Sequence, residues 1–216
     1  MKINNWLLLL LAVAVVFLSV RIAFDHNDNT ASDTKENTEM KEDTDNGVLA
    51  NIMTRTSVRA YSDKSISDST VTALLKAGMA APSAMNKQPW HFTVITDKAM
   101  LKNIADEFKN AHMAEKAPLA IVVSGNMDLT IEGEGHEYWA QDCSAASENI
   151  LLAAHGMGLG AVWCGIYPIS ERVNGLKKLL AMPANLTPLN IIVIGYPAGP
   201  NTPKDKWDTA KINYIR

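Results

Sequence analysis

Cysteine is scarce in this 216-residue chain: only Cys143 and Cys164, twenty-one positions apart. There is no CxxC pair, and no histidine spacing completes a zinc site. A disulfide between the two has no support in the pattern, so buried free thiols are expected. Glycine-rich phosphate loops are missing as well. Without a GxGxxG or a P-loop lysine, neither a Rossmann dinucleotide site nor a nucleoside-triphosphate site is signalled. His136 and His155 stand alone and make neither a triad nor a metal set. Net charge is small, −3 at pH 7, which argues against a nucleic-acid partner.

That average hides an asymmetry. Residues 25–45 hold eight acidic and two basic side chains, whereas residues 46–216 hold sixteen basic and fifteen acidic. The acidic stretch has almost no apolar residues and no periodicity, so residues 25–49 read as a disordered tether. An EF-hand is not indicated, since neither its spacing nor its turn glycine is present. Ahead of it, Lys2 precedes an apolar run from Trp6 to Val20, and Arg21 closes the run before Ile22, Ala23 and Phe24. Residues 1–24 read as an N-terminal membrane anchor or a signal peptide. The lack of a small-x-small cleavage site favours the anchor. Either way the segment is expected to send the rest of the chain across a membrane, to the extracytoplasmic side and the cell envelope, with Lys2 left inside. As an anchor it would hold the chain at the membrane.

From about residue 50 a folded domain, 50–216, is expected, and nearly half the chain is hydrophobic (47%), enough for a core. Helical spacing and end signals predict helices over 66–80, 97–108, 138–155 and 170–180. Short apolar runs predict strands over 90–96, 117–126, 159–164 and 189–196, and Gly156 is a candidate helix terminator. Alternating elements lead to a two-layer or three-layer α/β domain. The last twenty residues, rich in Pro, Asn and Lys, read as an extended arm.

Three clusters carry chemistry. Arg55-Thr56-Ser57-Val58-Arg59-Ala60-Tyr61 sets two arginines four apart around a serine. On one helical face or turn they would grip a phosphate by forked guanidinium bonds, although taken alone the cluster reads first as a solvated surface. The second cluster is the connection APSAMNKQPWHF, from Ala81 to Phe92. Pro82 and Pro89 stiffen it, and Ser83, Asn86 and Gln88 offer donors and acceptors suited to the edge of a flat heteroaromatic ring. The plainer reading is a loop that caps a neighbouring helix. The third is the helix from Asp142 towards Trp163, whose small residues allow close backbone packing.

Taken in order, Arg-x-Ser-x-Arg-x-Tyr, then Ala-Pro-Ser-Ala-x-Asn-x-Gln-Pro-Trp-x-Phe, then Asp-x-Ser-x-Ala-x-Glu-Asn-Ile-Leu-Leu-Ala-Ala-His-Gly-x-Gly-Leu-Gly-x-x-Trp, then Asn190-Ile-Ile-Val-Ile-Gly-Tyr-Pro197, the chain closely resembles the nitroreductase family of FMN-dependent, NAD(P)H-type oxidoreductases. The resemblance covers residues 51 to about 200. It implies an α+β nitroreductase-like fold, with a central mostly antiparallel sheet flanked by helices, in an intertwined homodimer with FMN at the interface.

By matching position it implies that Arg55, Ser57 and Arg59 hold the FMN phosphate and ribityl chain. Pro82, Ser83 and Ala84 would lie against the ring from the other subunit, with Asn86 reaching ring or ribityl oxygens and Gln88 supporting the loop. Trp163, Cys164, Gly165 and Ile166 would flank the other face, with a backbone amide near the reactive nitrogen. Thr56 stands where many relatives carry a cation, and Lys204 or Lys206 replaces the usual terminal Lys/Arg pair. Two-electron transfer from NAD(P)H to a nitroaromatic, a quinone or a similar small acceptor is implied, with no catalytic side chain and no metal. His136, Tyr138 and Trp139 are candidates for the substrate side, with packing onto the dimer partner the rival reading. The alternatives are an extracytoplasmic flavoprotein fed by another donor, a flavin-consuming or dehalogenating relative, and an FMN-binding module without turnover.

Overall fold

The computed structural model describes residues 47–216. The expected anchor or signal peptide, and the tether up to residue 46, lie outside the described residues. The folded unit begins with helix α1 (Gly47–Thr54), three residues ahead of the boundary expected at residue 50. The other helices are α2 (Asp68–Met79), α3 (Lys98–Glu107), α4 (Tyr138–Gly156) and α5 (Ser170–Leu179). The strands are β1 (Trp90–Ile95), β2 (Leu119–Asn126), β3 (Gly160–Gly165) and β4 (Leu186–Gly195).

Local chemistry sets the helix starts. The Ser67 hydroxyl accepts from Thr70 N to cap α2, and the Asp97 carboxylate accepts from Met100 N at 2.7 Å to cap α3. At the far end of α4 the left-handed turn falls on Gly158, with φ +73, while Gly156 is still helical. The expected terminator is therefore two residues early, because the turn that needs positive φ comes after Met157.

The strands form one sheet in the order β1-β2-β4-β3, and every pairing is antiparallel. This bears out the α+β expectation and corrects the α/β reading of the bare pattern. Alternation of helices and strands suggests parallel βαβ units, yet here each returning strand runs against its neighbour. Helices cover both faces, so there are three layers. In β2 and β4 successive residues point opposite ways. Ala120, Val122, Ile191 and Val193 pack with Leu101, Ile104 and Leu176 on one face. Leu119, Ile121, Ile192 and Ile194 pack with Leu74, Cys143 and Ile150 on the other. This two-sided burial is why both strands read as continuous apolar runs. The two edges, β1 and β3, are left for function. Among the described residues no helix is long and apolar enough to cross a membrane.

Candidate functional site at the edge of strand β3

The arginine-bearing segment leaves α1 and runs along the outer edge of β3. Ser57 forms a parallel bridge with Ala161, and Val58 N donates to Ala161 O at 3.0 Å. The segment is extended at this point, not helical, so neighbouring side chains face opposite ways. Val58 turns inward and is buried, while Ser57 and Arg59 are exposed. Close approach depends on Gly160, where a Cβ would stand 2.6 Å from Val58.

Tyr61 fastens the far end. Its hydroxyl proton is shared between the carbonyls of Val58 at 2.7 Å and Val193 at 3.0 Å, and burial raises its pKa well above the ordinary phenol range. Arg55 is aimed from behind, its Nε 3.2 Å from a carboxylate oxygen of Glu148 on α4. Thr56 is half-buried in the same segment. Residues 55–59 thus run along one edge of the sheet.

At the end of β3 only part of the expected set offers a side chain. Cys164 and Ile166 are buried in the core, 2% and 0% exposed, so they present backbone alone, and Trp163 is half-buried. Burial pushes the Cys164 thiol up to about 11, and Arg59 acts in the opposite sense, so the guanidinium lies within electrostatic reach of this end of the strand. Alternation decides where the backbone points. Ala161 O faces off the sheet to Val58, so Trp163 and Gly165, in the same register, also turn their N–H and C=O groups outward.

The loop 82–88 is held as a unit at the start of β1. Ala84 N donates to Asp142 Oδ1 at 2.8 Å, Gln88 N donates to Ser83 Oγ at 2.9 Å, and Gln88 Nε2 donates to Asn86 Oδ1 at 2.8 Å. Met85, Asn86 and Gln88 all have positive φ, 49, 55 and 49. A non-glycine residue in that region is uncommon, and three in four positions cluster where function is found. The Gln88 bond lies within the loop and leaves the Asn86 amide nitrogen free to donate. Pro82 is exposed.

The arginine segment and this loop do not meet within one chain. They lie on opposite edges, β3 and β1. Three strand spacings of about 4.8 Å separate those edges by roughly 14 Å.

The substrate-side candidates divide. Trp139 is 3% exposed and stacks edge-on against Tyr167 at 4.8 Å, over a Gly125 whose Cβ would stand 2.4 Å from the indole. It is a core residue, which corrects the expectation that it lines an open face. His136 lines a cavity of about 620 Å³ with Met85, Lys87 and Asp128, beside the loop. Tyr138 is exposed and lines a neighbouring one with Glu134 and Gln141. Lys204 and Lys206 lie on the exposed arm, and no ion pair or hydrogen bond joins them to residues 55–59.

Four residues with a bearing on the site were not singled out in advance. Glu148 and Asp142 sit inside the matched helix motif, six apart, so their roles as anchors for Arg55 and Ala84 had a sequence signal. Asn110 and Arg172 had none: both donate to the Gly165 carbonyl, each at 3.0 Å, from distant parts of the chain.

Comparison with known proteins identifies the frame. The model of the Nitroreductase family matches residues 52–125 and 105–196. The Archaeoglobus fulgidus protein named "Putative NADH dehydrogenase/NAD(P)H nitroreductase" is 47% identical over 149 residues, 69% of this chain and 84% of its own. A Bacteroides thetaiotaomicron structure of the same name shares 43% identity with a TM-score of 0.74, covering 78% of this chain and 97% of that one. A Desulfovibrio desulfuricans structure named "putative nitroreductase in complex with fmn" shares 33% identity with a TM-score of 0.68, covering 79% of this chain and 97% of that one.

These findings correct the expected location. The relatives are named for NAD(P)H chemistry, and the nicotinamide pool that such chemistry draws on is one an exported domain would lack. The anchored or exported, extracytoplasmic placement is set aside. By its motifs, its sheet and these matches, the chain belongs to the nitroreductase family.

Proposed function

We propose that the chain is an FMN-dependent oxidoreductase that passes electrons from NAD(P)H to a small acceptor of the nitroaromatic or quinone class. The observation that carries this reading is the 3.0 Å bond from Val58 N to Ala161 O, which lays a serine and two arginines along the free edge of β3. The donor set fits FMN. Two guanidinium groups and a hydroxyl suit a phosphate, and the outward amides of Trp163 and Gly165 suit the polar edge of a ring. Ala161 to Gly165 spans about 13 Å of strand, which leaves room for a ribityl chain between phosphate and ring.

In this reading Arg55, Ser57 and Arg59 bind the phosphate, with Thr56 contributing its hydroxyl or backbone in place of a further cation. Gly165 presents its N–H to the ring, and the backbone of residues 163–166 forms one wall of the slot. Bound FMN supplies the two-electron chemistry, accepting hydride from the nicotinamide and returning electrons to the acceptor. The chain binds, orients and excludes water, and no side-chain acid or base is needed.

The second wall comes from a partner copy. Pro82-Ser83-Ala84, with Asn86 beside them, sit on the wrong edge of their own sheet to face Arg59, so a homodimer completes the site. Exposed Val48, Leu49, Ile52 and Met53 on α1, and Trp207, Tyr214 and Ile215 on the arm, are the apolar surface such a partner would cover. The arm is also how Lys204 or Lys206 would reach a phosphate. The small acceptor would enter beside His136 and Tyr138. To test the reading, the full chain is mixed with FMN, washed exhaustively and its visible spectrum recorded before and after anaerobic NADPH or NADH. A retained flavin spectrum that bleaches supports it; a colourless folded dimer contradicts it.

A further inference from the structure

We infer that Arg172 is a positioning residue, which together with Asn110 fixes the backbone of Gly165 and so tunes the redox potential of the flavin. The inference rests on the FMN reading above. Gly165 is the last residue of β3, on the outer edge of the sheet, where no further strand holds it. Glycine has the broadest backbone freedom, so no side chain of its own helps to fix this end of the strand. Two donors from separate elements converge on its carbonyl. Asn110 Nδ2 reaches it from the turn 109–116 at 3.0 Å, and Arg172 Nη1 reaches it from α5 at 3.0 Å.

A carbonyl oxygen has two lone pairs, and both are used here. One donor is a guanidinium, whose bond to a neutral oxygen is stronger than an amide's. The choice of partner is informative. Arg172 lines a cavity of about 230 Å³ with Glu107 and Glu171, yet among the described residues its guanidinium pairs with neither carboxylate and bonds the glycine carbonyl instead.

In an extended residue the N–H and C=O lie on the same side of the strand. Pinning the Gly165 carbonyl outward therefore pins its N–H outward, towards the ring. The oxidised ring nitrogen would offer an in-plane lone pair to that N–H, whereas the reduced one carries a hydrogen there and is the poorer acceptor. A well-aimed amide therefore favours the oxidised flavin, and a loosened one ceases to. Arg172 touches no reacting atom in this account and acts through Gly165.

The test uses the full chain loaded with FMN, as wild type, Arg172→Ala and Arg172→Lys. Midpoint potential, FMN dissociation constants for both redox states, and melting temperature are measured. Arg172→Ala should weaken the oxidised complex relative to the reduced one by about tenfold, the value of one well-made hydrogen bond. For a two-electron couple that raises the potential by ~30 mV. Arg172→Lys, which keeps a donor of the same charge, should recover part of the shift. An unchanged potential, or equal weakening of both redox states, overturns the inference, because a purely structural residue would lower the melting temperature without separating the two states. If the alanine variant does not fold, Arg172→Met keeps the aliphatic stem and carries the same test: a positive shift supports the inference and a wild-type potential overturns it. If the wild type itself takes up no FMN, the proposed function fails first, and that outcome is distinguishable from failure of the Arg172 role.

Discussion

Arg55 and Glu148 meet at 3.2 Å, guanidinium Nε to carboxylate oxygen, across the gap between the end of α1 and the middle of α4. The Arg55 side chain is 18% exposed, so the pair is held more firmly than an open surface pair, and the contact leaves the terminal guanidinium nitrogens free to bond an anion.

This geometry gives an unusual sign. Pure electrostatics says that removing a carboxylate beside a phosphate site should tighten FMN binding. If Glu148 orients Arg55, Glu148→Gln should instead weaken it, by about threefold. A fluorescence titration of the apoprotein with FMN reads the outcome. Tighter binding would show that Glu148 only competes with the phosphate.

Gly160 is the second constraint on the phosphate segment. Gly160→Ala would set a methyl 2.6 Å from Val58, so either β3 or the 55–59 segment must move. Overpacking of this kind costs about 1–3 kcal/mol. FMN affinity should fall with stability, and Val58→Ala in the same chain should restore part of both. A double-mutant cycle in chemical denaturation and FMN titration checks this; strict additivity would deny the contact.

The thiols give a prediction in pH. Burial pushes Cys143 from 9.0 up to about 12, with Asp142 adding to the effect, and Cys164 from 9.0 to about 11. A raised folded pKa means that the folded state keeps its proton after the unfolded chain has released it. The stability that these groups contribute is present in full below pH 9.0 and is lost as pH rises through 11 and 12. The denaturant midpoint should decline over that window, and less steeply in Cys143→Ala. At about pH 8 a small alkylating reagent should leave both thiols intact until the chain is unfolded. Modification of either in the native protein would contradict their burial.

Much of this was legible in the sequence because local signals and burial agreed. Ser67 and Asp97 mark helix starts by their own side-chain bonds, and β2 and β4 announce double-sided burial by unbroken apolar runs. The matched motif order carried the antiparallel fold that bare alternation of helices and strands misread. What was not legible depends on contacts between distant residues. Nothing near Asn110 or Arg172 in the chain refers to Gly165, and the burial of Trp139 follows from Gly125, fourteen positions earlier. The spacing of Arg55 and Arg59 suits a helical turn as well as an extended edge. Only the bond of Val58 to Ala161 decides between them.

The most direct test of the central claim is the affinity of the apoprotein for FMN against riboflavin, which lacks only the phosphate, in wild type and in Arg59→Ala. If the β3-edge arginines grip the phosphate, the wild type should prefer FMN by at least about a hundredfold, and Arg59→Ala should lose most of that preference while binding riboflavin unchanged. Equal affinity of the wild type for the two flavins, or an undiminished preference in Arg59→Ala, would contradict the assignment.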